Sequence, residues 1–342
     1  TTATGSSLLY QWKFNGATIS GATGSSFVLS NTQPVNAGNY TVQVTNTTGS
    51  VTSSIASLSV IFPEPPTEVV FSETFDSASA SDNWNLFDGS GNGISDYTVD
   101  WSYDYNTYFS SFNGSNIPPA PNSTNGTTRG LRLTVNNNDS TSSTVGVSVY
   151  PKTATFSGAY KLKFDLWMNY PGDAGGNGPG VTGSTENATF GINHTGTQVN
   201  WASSNPSDGT WFTVDGEGGD SGNKDYRSYV GNTSGTPTLL SFNDSGFSAA
   251  GATSADNSAA YFQSVFPSPT YETGGSPGKH WVQVEISRDA NNLLKWKMND
   301  QLIAQRIDTA SFTNGTIMLG YMDLFTSIAA PEEDSFVLFD NV

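Results

Sequence analysis

One glycine-rich segment spaces oxygen-bearing side chains in a way that suits a calcium ion. Asp88, Ser90 and Asn92 alternate with other residues, and Asp96 follows a short distance on. In a calcium-binding loop that began at Asp88, the position of the chelating Glu would be Val99, which has no side-chain oxygen. The sequence therefore leaves two interpretations, a partial Ca²⁺ site that uses these four residues or a solvated turn.

A second acidic segment carries Asp215, Glu217 and Asp220 among glycines, with no fixed ligand spacing. This segment, too, predicts either an ion site or a solvated turn. Aromatic residues, which combine a flat apolar face with a polar group, lie before and after it, and they are Trp201, Trp211, Tyr226 and Tyr229. We take these four as candidate carbohydrate-binding residues.

The residue types needed for hydrolytic chemistry are scarce. The chain has 2 histidines and no cysteine, which removes thiolate chemistry and disulfides and argues against a zinc site. Residues 219–222, Gly-Asp-Ser-Gly, match a serine-protease signature, but neither His194 nor His280 lies in a recognisable catalytic context. The adjacent acids at 332–334 indicate a charged loop. We therefore expect no catalytic residues and no enzyme activity.

Charge and composition limit the partners. The formal net charge is −17, which argues against nucleic acids and anionic membranes, whose phosphates must be neutralised by Lys and Arg. The chain has no apolar run long enough to span a membrane. Charged residues make up only 13% of the chain, so Ser, Thr, Asn and Gly must form most of the polar surface. This composition is typical of exported bacterial proteins, and we expect an extracellular or cell-surface location.

The elements that must position these residues are predicted to be strands. No long window shows a helical apolar period, whereas several short segments alternate between apolar and polar residues. In 97–105, Tyr97, Val99, Trp101, Tyr103 and Tyr105 are predicted to share a core-facing side. In 160–168, Leu162 and Phe164 are predicted to face the core, with Lys161 and Lys163 on the other side. Many such strands separated by turns predict an all-β fold of the sandwich or jelly-roll type.

A proline-rich stretch divides the chain. Residues 62–67 contain three prolines, which fix backbone dihedrals and remove hydrogen-bond donors, so no strand is expected to continue through them. We predict a small domain at 1–61, a linker at 62–67 that holds the two units at a fixed angle, and a large domain at 68–342.

The first domain has Trp12, Tyr40 and Val42 at informative positions, and on these residues it resembles part of a bacterial immunoglobulin-like domain. Trp12 occupies the position of the buried strand-C Trp, and Tyr40 that of the tyrosine corner, while Val42 replaces the strand-F Cys. The resemblance implies that the first strand and most of the second are missing. We therefore expect uncovered edges at 10–14 and 41–46, which either recruit a strand from a neighbouring copy or are covered by an upstream segment.

Three motifs of the large domain, at 73–76, 281–307 and 336–342, resemble those of a concanavalin A-like, laminin-G-type jelly roll. The resemblance rests on Glu73-Thr-Phe-Asp76, on the pattern W-x-x-V-E-I…W-x-M-N-D-x-x-I-A within 281–307, and on Phe336-Val-Leu-Phe-Asp-Asn-Val342. It implies that Val69–Phe75 lies beside Phe336–Val342. Retaining glycanases of this fold carry paired carboxylates in the pattern E-x-D-x-x-E, which this sequence lacks.

The residues and the two resemblances leave two functions open. The first is a non-catalytic structural or adhesive segment of a bacterial surface protein or fibre, which self-assembles by edge-strand complementation. The second is a carbohydrate-binding module of a secreted polysaccharide-degrading system, dependent on calcium in one version. The corresponding partners are copies of the chain itself or a surface polysaccharide.

Overall fold

The computed structural model describes residues 3–30, 32, 36–60, 68–136, 143–171, 185–218, 225–240, 255–308, 310–325 and 332–342. The chain divides into two compact units, Thr1–Glu64 and Pro65–Val342. The predicted linker at 62–67 lies outside the described residues. The described secondary structure is almost entirely strand, so the predicted all-β fold class is confirmed.

The small unit contains one antiparallel sheet among its described residues. Numbered in chain order, its strands are β1 (Leu9–Phe14), β2 (Ala17–Thr18), β3 (Gly38–Asn46), β4 (Gly49–Thr52) and β5 (Ala56–Leu58). The sheet order is β2-β1-β3-β4, and β5 also pairs with β3. Alternation in β3 buries Tyr40, Val42 and Val44, and Trp12 of β1 lies directly opposite Val42.

Both strands expected to be uncovered have neighbours on either side. β3 lies between β1 and the pair β4 and β5. β1 pairs with β2 on its other side, where the Trp12 N–H also donates to the Ala22 carbonyl at 3.0 Å. The prediction of open edges at 10–14 and 41–46 is therefore wrong, because the turn after β1 folds back along it. The outermost strands of this sheet are β2 and β4.

Two aromatic residues of the small unit, Tyr40 and Trp12, donate side-chain hydrogen bonds to backbone carbonyls. The Tyr40 hydroxyl donates to the Asn36 carbonyl at 2.8 Å, the backbone contact that defines a tyrosine corner. Trp12 is half-buried, and its indole donates to the Gly24 carbonyl at 2.9 Å. The segment 26–30 is irregular, and its Phe27 packs on Trp12 and Tyr40. The immunoglobulin-like assignment stays a prediction.

The large unit contains two large antiparallel sheets. The seven-stranded sheet has the order β20 (Gln301–Ile307), β19 (Leu293–Met298), β18 (Val282–Arg288), β13 (Tyr160–Asn169), β22 (Phe336–Asp340), β10 (Arg129–Val135) and β7 (Tyr97–Asp104). The eight-stranded sheet has the order β17 (Thr238–Leu240), β16 (Tyr226–Val230), β15 (Thr210–Asp215), β14 (Glu186–His194), β21 (Asn314–Asp323), β11 (Val145–Pro151) and β6 (Trp84–Ser90), and β12 (Phe156–Ser157) joins it beside β21.

Short elements complete the large unit. A two-stranded ribbon is formed by β8 (Phe109–Ser110) and β9 (Ser115–Asn116), and the one described α-helix is α1 (Ala260–Val265). The described 3-10 helices are Ala78–Asn83, Tyr105–Thr107, Thr124–Gly126 and Glu332–Asp334. The last of these replaces the charged loop expected at 332–334.

The two sheets pack face to face over one apolar core, which confirms the predicted sandwich architecture of this unit. Phe164 of β13 contacts Phe190 of β14 with ring centroids 5.2 Å apart, and Phe190 in turn contacts Trp296 of β19 at 5.5 Å. Burial of these rings supplies the main driving force for closing the sandwich. We call the surface of each sheet that faces away from this core its outer face.

The aromatic row of β7 does not stay on one side. Tyr97, Val99 and Trp101 pack against the inter-sheet core, whereas Tyr103 and Tyr105 lie in a separate cluster on the outer face. The register of β7 against β10 shifts between Gly130 and Arg132, so β7 carries one extra residue there. A bulge of this kind reverses the side on which later residues point, which corrects the prediction of a single core-facing row.

Two chain connections of the large unit are a tight hairpin and the expected meeting of the unit's start and end. The hairpin between β19 and β20 turns at Asn299 and Asp300, whose φ angles of 48° and 62° suit a two-residue turn. The start and end of the large unit also meet, since Glu73 and Val342 exchange backbone hydrogen bonds of 2.9 and 2.8 Å. The segment 69–75, however, is not a strand, and β22 lies inside its sheet between β10 and β13.

Candidate functional site

Three of the four candidate sugar-contacting residues come together on the outer face of the eight-stranded sheet. Trp211 and Tyr229 are directly opposite each other on β15 and β16, and their rings stack 5.3 Å apart at 16°. Trp201, from the connection between β14 and β15, joins the same cluster. The side chains are closed in by their neighbours, because none of the three is more than 5% exposed.

Tyr226 lies on the other face of the same sheet. Its ring stacks on Phe262 of α1 at 4.0 Å, and its hydroxyl donates to the Gly275 carbonyl at 2.6 Å. It therefore belongs to the inter-sheet core and does not join the other three. The reason is strand alternation, since residues 226 and 229 of β16 are an odd number of positions apart.

Next to the stacked pair Trp211–Tyr229, the outer face carries polar side chains. Asn187 Oδ1 accepts from Arg227 Nη1 at 3.2 Å and from Thr213 Oγ1 at 3.4 Å, and all three residues are buried. Trp211 Nε1 and Thr189 Oγ1 are buried on the same face without a hydrogen-bond partner. We call Trp211, Tyr229, Thr189, Thr213, Asn187 and Arg227 the aromatic–polar row. Its aromatic members were predictable from the sequence, but nothing in the sequence signalled its polar ones.

The connection 195–208 covers part of this outer face. Trp201 lies over two glycines of adjacent strands, and an added Cβ would be 2.6 Å from Trp201 Cβ at Gly146 and 3.1 Å from Trp201 Nε1 at Gly89. A side chain at Gly146 would displace the indole, and one at Gly89 would make a tight contact with it. We call 195–208 the Trp201 segment.

Asp208 anchors the Trp201 segment. Its carboxylate accepts from His194 Nδ1 at 3.0 Å, from Asn200 Nδ2 at 2.7 Å and from the Thr195 N–H at 3.0 Å, and from the Thr195 hydroxyl as well. Burial alone would raise the pKa of Asp208, but the hydrogen bonds from His194 and Thr195 outweigh burial and lower the pKa to about 2. Asp208 is therefore a buried, ionised carboxylate that accepts hydrogen bonds from His194, Asn200 and Thr195.

The His194–Asp208 pair is not arranged as a hydrolytic triad. His194 Nε2, the atom that would accept a proton from a nucleophilic hydroxyl, is buried and has no hydrogen-bond partner. His280 lies elsewhere, among aromatic rings that include Tyr271 at 5.1 Å, and its burial lowers its pKa. The His194–Asp208 contact was not predicted, because nothing local in the sequence connects the two positions.

The second acidic segment is buried. Asp215 Oδ1 accepts from the Glu217 N–H at 2.8 Å and the Gly218 N–H at 3.3 Å, so the carboxylate closes the turn after β15. Both acids are 1% exposed, which corrects the interpretation as a solvated turn. Burial, together with the charges of Glu272 and Glu217, raises the pKa of Tyr170. Asp220 lies outside the described residues.

The first acidic segment is organised by its own hydrogen bonds. Ser95 Oγ donates to Asp88 Oδ2 at 2.6 Å, and Asn92 Oδ1 accepts from Ser90 Oγ and the Ile94 N–H, both at 2.9 Å. Asp96, the fourth candidate, is buried. In the part of the chain that the structure describes, no group of three or more His, Asp or Glu is placed to hold a metal ion. Calcium binding at Asp88, Ser90, Asn92 and Asp96 stays a prediction.

Among the described residues, no helix has the length and apolar character needed to cross a membrane.

Comparisons with known proteins give matches among solved structures. No family model matches the chain, and no curated protein matches it. Similar solved structures include a protein of unknown function with a galectin-like fold from Bacillus subtilis, at 9% identity and a TM-score of 0.41, over 80% of this chain and 93% of that chain. The potassium-bound carbohydrate recognition domain of Emp46p aligns at 10% identity and a TM-score of 0.37, over 78% and 91%. Bacillus licheniformis β-glucanase aligns at 11% identity and a TM-score of 0.37, over 81% and 97%.

Proposed function

We propose that this chain is a non-catalytic carbohydrate-binding protein of the cell exterior, and that the glycan binds at the aromatic–polar row. The observation that carries the proposal is the stacked pair Trp211–Tyr229 beside buried hydrogen-bonding groups, two of which, Trp211 Nε1 and Thr189 Oγ1, have no partner. A buried donor without a partner costs about 1–3 kcal/mol, so such groups are usually kept where something else bonds to them.

The chemistry of the row adds to this proposal. A glycan offers apolar C–H faces to stacked rings and hydroxyls to groups such as Asn187 and Arg227. The geometry at His194, where Nε2 faces no nucleophile among the described residues, favours binding without hydrolysis. The sequence also lacks the paired carboxylates of the glycanase pattern, and this too favours binding without hydrolysis.

Access to the row requires a local rearrangement. Trp211 is fully buried, and Tyr229 and His194 pack against it, so a sugar ring can reach it only when neighbouring side chains move aside.

A glycan array tests the proposal with the whole chain. Wild-type protein should bind one class of polysaccharide, and Trp211→Phe, which removes only the indole N–H and part of the ring, should weaken that binding about tenfold, as expected for a lost buried hydrogen bond. The matched control is Trp296→Phe. Trp296 is equally buried and its Nε1 also lacks a partner, but it lies in the inter-sheet core. Absence of wild-type binding to every polysaccharide on the array would reject the proposal.

A second candidate function, an adhesive or structural segment that self-associates, is favoured by the small unit. Leu9, Val28, Val51 and Ile55 are 63 to 81% exposed, and all four residues of the outermost strand β4 are exposed. Exposed strand edges with apolar side chains recruit further strands. Sedimentation should then show concentration-dependent association that Val51→Lys abolishes, whereas a monomer at all concentrations would remove this candidate.

A further inference from the structure

The outer face of the seven-stranded sheet carries a concentration of lysines. Lys161 and Lys163 of β13 lie on one side of β18, and Lys295 and Lys297 of β19 lie on the other. Their strand neighbours at even positions, such as Leu162 and Trp296, are buried in the core, so alternation places all four lysines on the outer face. We call these four residues the lysine face.

The four lysines surround Glu285, and Asp165, the next outer-face residue of β13 after Lys163, is buried. Glu285 of β18 lies directly opposite Lys163 and Lys297, and its carboxylate is 3.2 Å from Lys163 Nζ, 3.7 Å from Lys297 Nζ and 4.0 Å from Lys161 Nζ. One carboxylate cannot neutralise four ammonium groups, so these five side chains keep a net charge of about +3. Glu285 holds the lysines in place, and it is itself only 12% exposed.

This charge stands out against the rest of the molecule. The chain has 13 Lys and Arg residues against 30 Asp and Glu, and it carries a net charge of −17. Arg227, Arg288 and Arg306 are buried, so they add little to the surface. Lys163, in contrast, has a side chain that is 64% exposed. Positive charge concentrated on one exposed sheet face of a strongly acidic protein indicates that this face binds an anionic partner.

We propose that the lysine face binds an anionic polysaccharide, one that carries carboxylate or sulfate groups along its chain. The lysines form two rows, spaced by about 7 Å along each strand and about 10 Å between the two strands. A linear polymer with a charge on each repeat can contact several of them at once. Between the rows, Gln283 and Ser287 of β18 offer hydrogen bonds to sugar hydroxyls.

The acidic residues on the rest of the surface restrict which anionic partners can bind to the lysine face. A partner with a broad negative surface, such as nucleic acid or an acidic protein, would approach the carboxylates around the face as well as the lysines. A thin polymer can lie along β18 without leaving the face. The site lies on the opposite side of the sandwich from the aromatic–polar row, and it does not depend on that row binding a glycan.

Binding of the whole chain to polygalacturonate and to dextran sulfate tests this proposal, with neutral dextran and poly-glutamate as comparison polymers. We expect binding to at least one anionic polysaccharide, weakening as salt concentration rises. Lys163→Glu combined with Lys297→Glu should reduce affinity at least tenfold, whereas Glu285→Gln, which removes the acid among the lysines, should increase it. Damage to the fold would lower the affinity of both variants, so it cannot explain a decrease in one and an increase in the other.

The matched control makes the same change in net charge at two lysines outside the lysine face. Lys13→Glu combined with Lys152→Glu alters the net charge equally but lies outside the lysine face, and it should leave affinity within about twofold. The proposal is overturned if this control loses as much affinity as the lysine-face variant, or if neutral dextran binds equally well. Equal or tighter binding of poly-glutamate would assign the face to an acidic protein instead. If only Trp211→Phe affects binding, the lysine face is not the site.

Discussion

Asp165 of β13 and Asp340 of β22 lie directly opposite each other on the outer face of the seven-stranded sheet, and both are buried. The segment 117–127 crosses over them. Asn122 donates its backbone N–H and its side-chain amide to Asp165 at 3.0 and 2.8 Å, and Tyr105 donates its hydroxyl to Asp340 at 3.1 Å. Two buried carboxyl groups placed side by side make this part of the fold sensitive to pH.

The first prediction concerns Asp340. Burial, with a smaller contribution from the charge of Asp165, raises the pKa of Asp340 from 3.8 to about 7. The folded state therefore holds a proton that the unfolded state releases, and its stability should fall as the pH rises from about 4 through about 7, by on the order of a few kcal/mol. Asp340→Asn should flatten this dependence and raise the melting temperature at pH values above about 7.

Calorimetry of the whole chain at a series of pH values measures this effect. Asp100→Asn is the matched control, because Asp100 is an exposed acid on the same sheet and should leave the pH dependence unchanged. If Asp340→Asn and wild type lose stability equally between pH values of about 4 and 7, Asp340 is not the titrating group.

The second prediction concerns Asp208. Because its pKa is lowered in the folded state, its contribution to stability is present above about pH 4 and is lost as the pH falls through about 2. Asp208→Ala should cost about 3–5 kcal/mol, since it leaves the buried donors of His194, Asn200 and Thr195 without their acceptor. Amide hydrogen exchange in the Trp201 segment should accelerate. Asp82→Ala, at an exposed acid, is the control and should change neither quantity.

The third prediction concerns the glycine under Trp201. Gly146→Ala places a methyl group 2.6 Å from Trp201 Cβ, so the indole must shift and stability should fall by about 1–3 kcal/mol. A change in the wavelength of the tryptophan fluorescence maximum should accompany the loss. Gly49→Ala is a strand glycine with open space around it, and it should be close to neutral. Equal effects of the two changes would show that Trp201 does not rest on Gly146.

The fourth prediction concerns calcium. Asp88 and Asn92 already accept hydrogen bonds from Ser95, Ser90 and Ile94, which hold the segment without an ion. We expect the melting temperature to be nearly the same with calcium and with a chelator. A calcium-dependent rise that Asp88→Ala removes would instead establish the site expected from the residue spacing.

Local patterns in the sequence determined the strands. Alternation in 160–168 predicted which side chains of β13 enter the core, because neighbours two positions apart on a strand must share a face. The turn at Asn299–Asp300 and the contact of Tyr40 with Asn36 were also predictable, since each depends on residues within a few positions of one another.

Only the tertiary structure decided which faces are open and which distant residues meet. The bulge opposite Gly130–Arg132 moved Tyr103 to the outer face, and the fold-back of the Trp201 segment buried Trp201 against β11 and β6, although nothing in their own segments signals either event. The pairs His194–Asp208 and Asp165–Asp340 and the gathering of lysines around Glu285 arise from strand order and register. Strand order and register are set by the packing of the whole core, so spacing along the chain could not reveal these contacts.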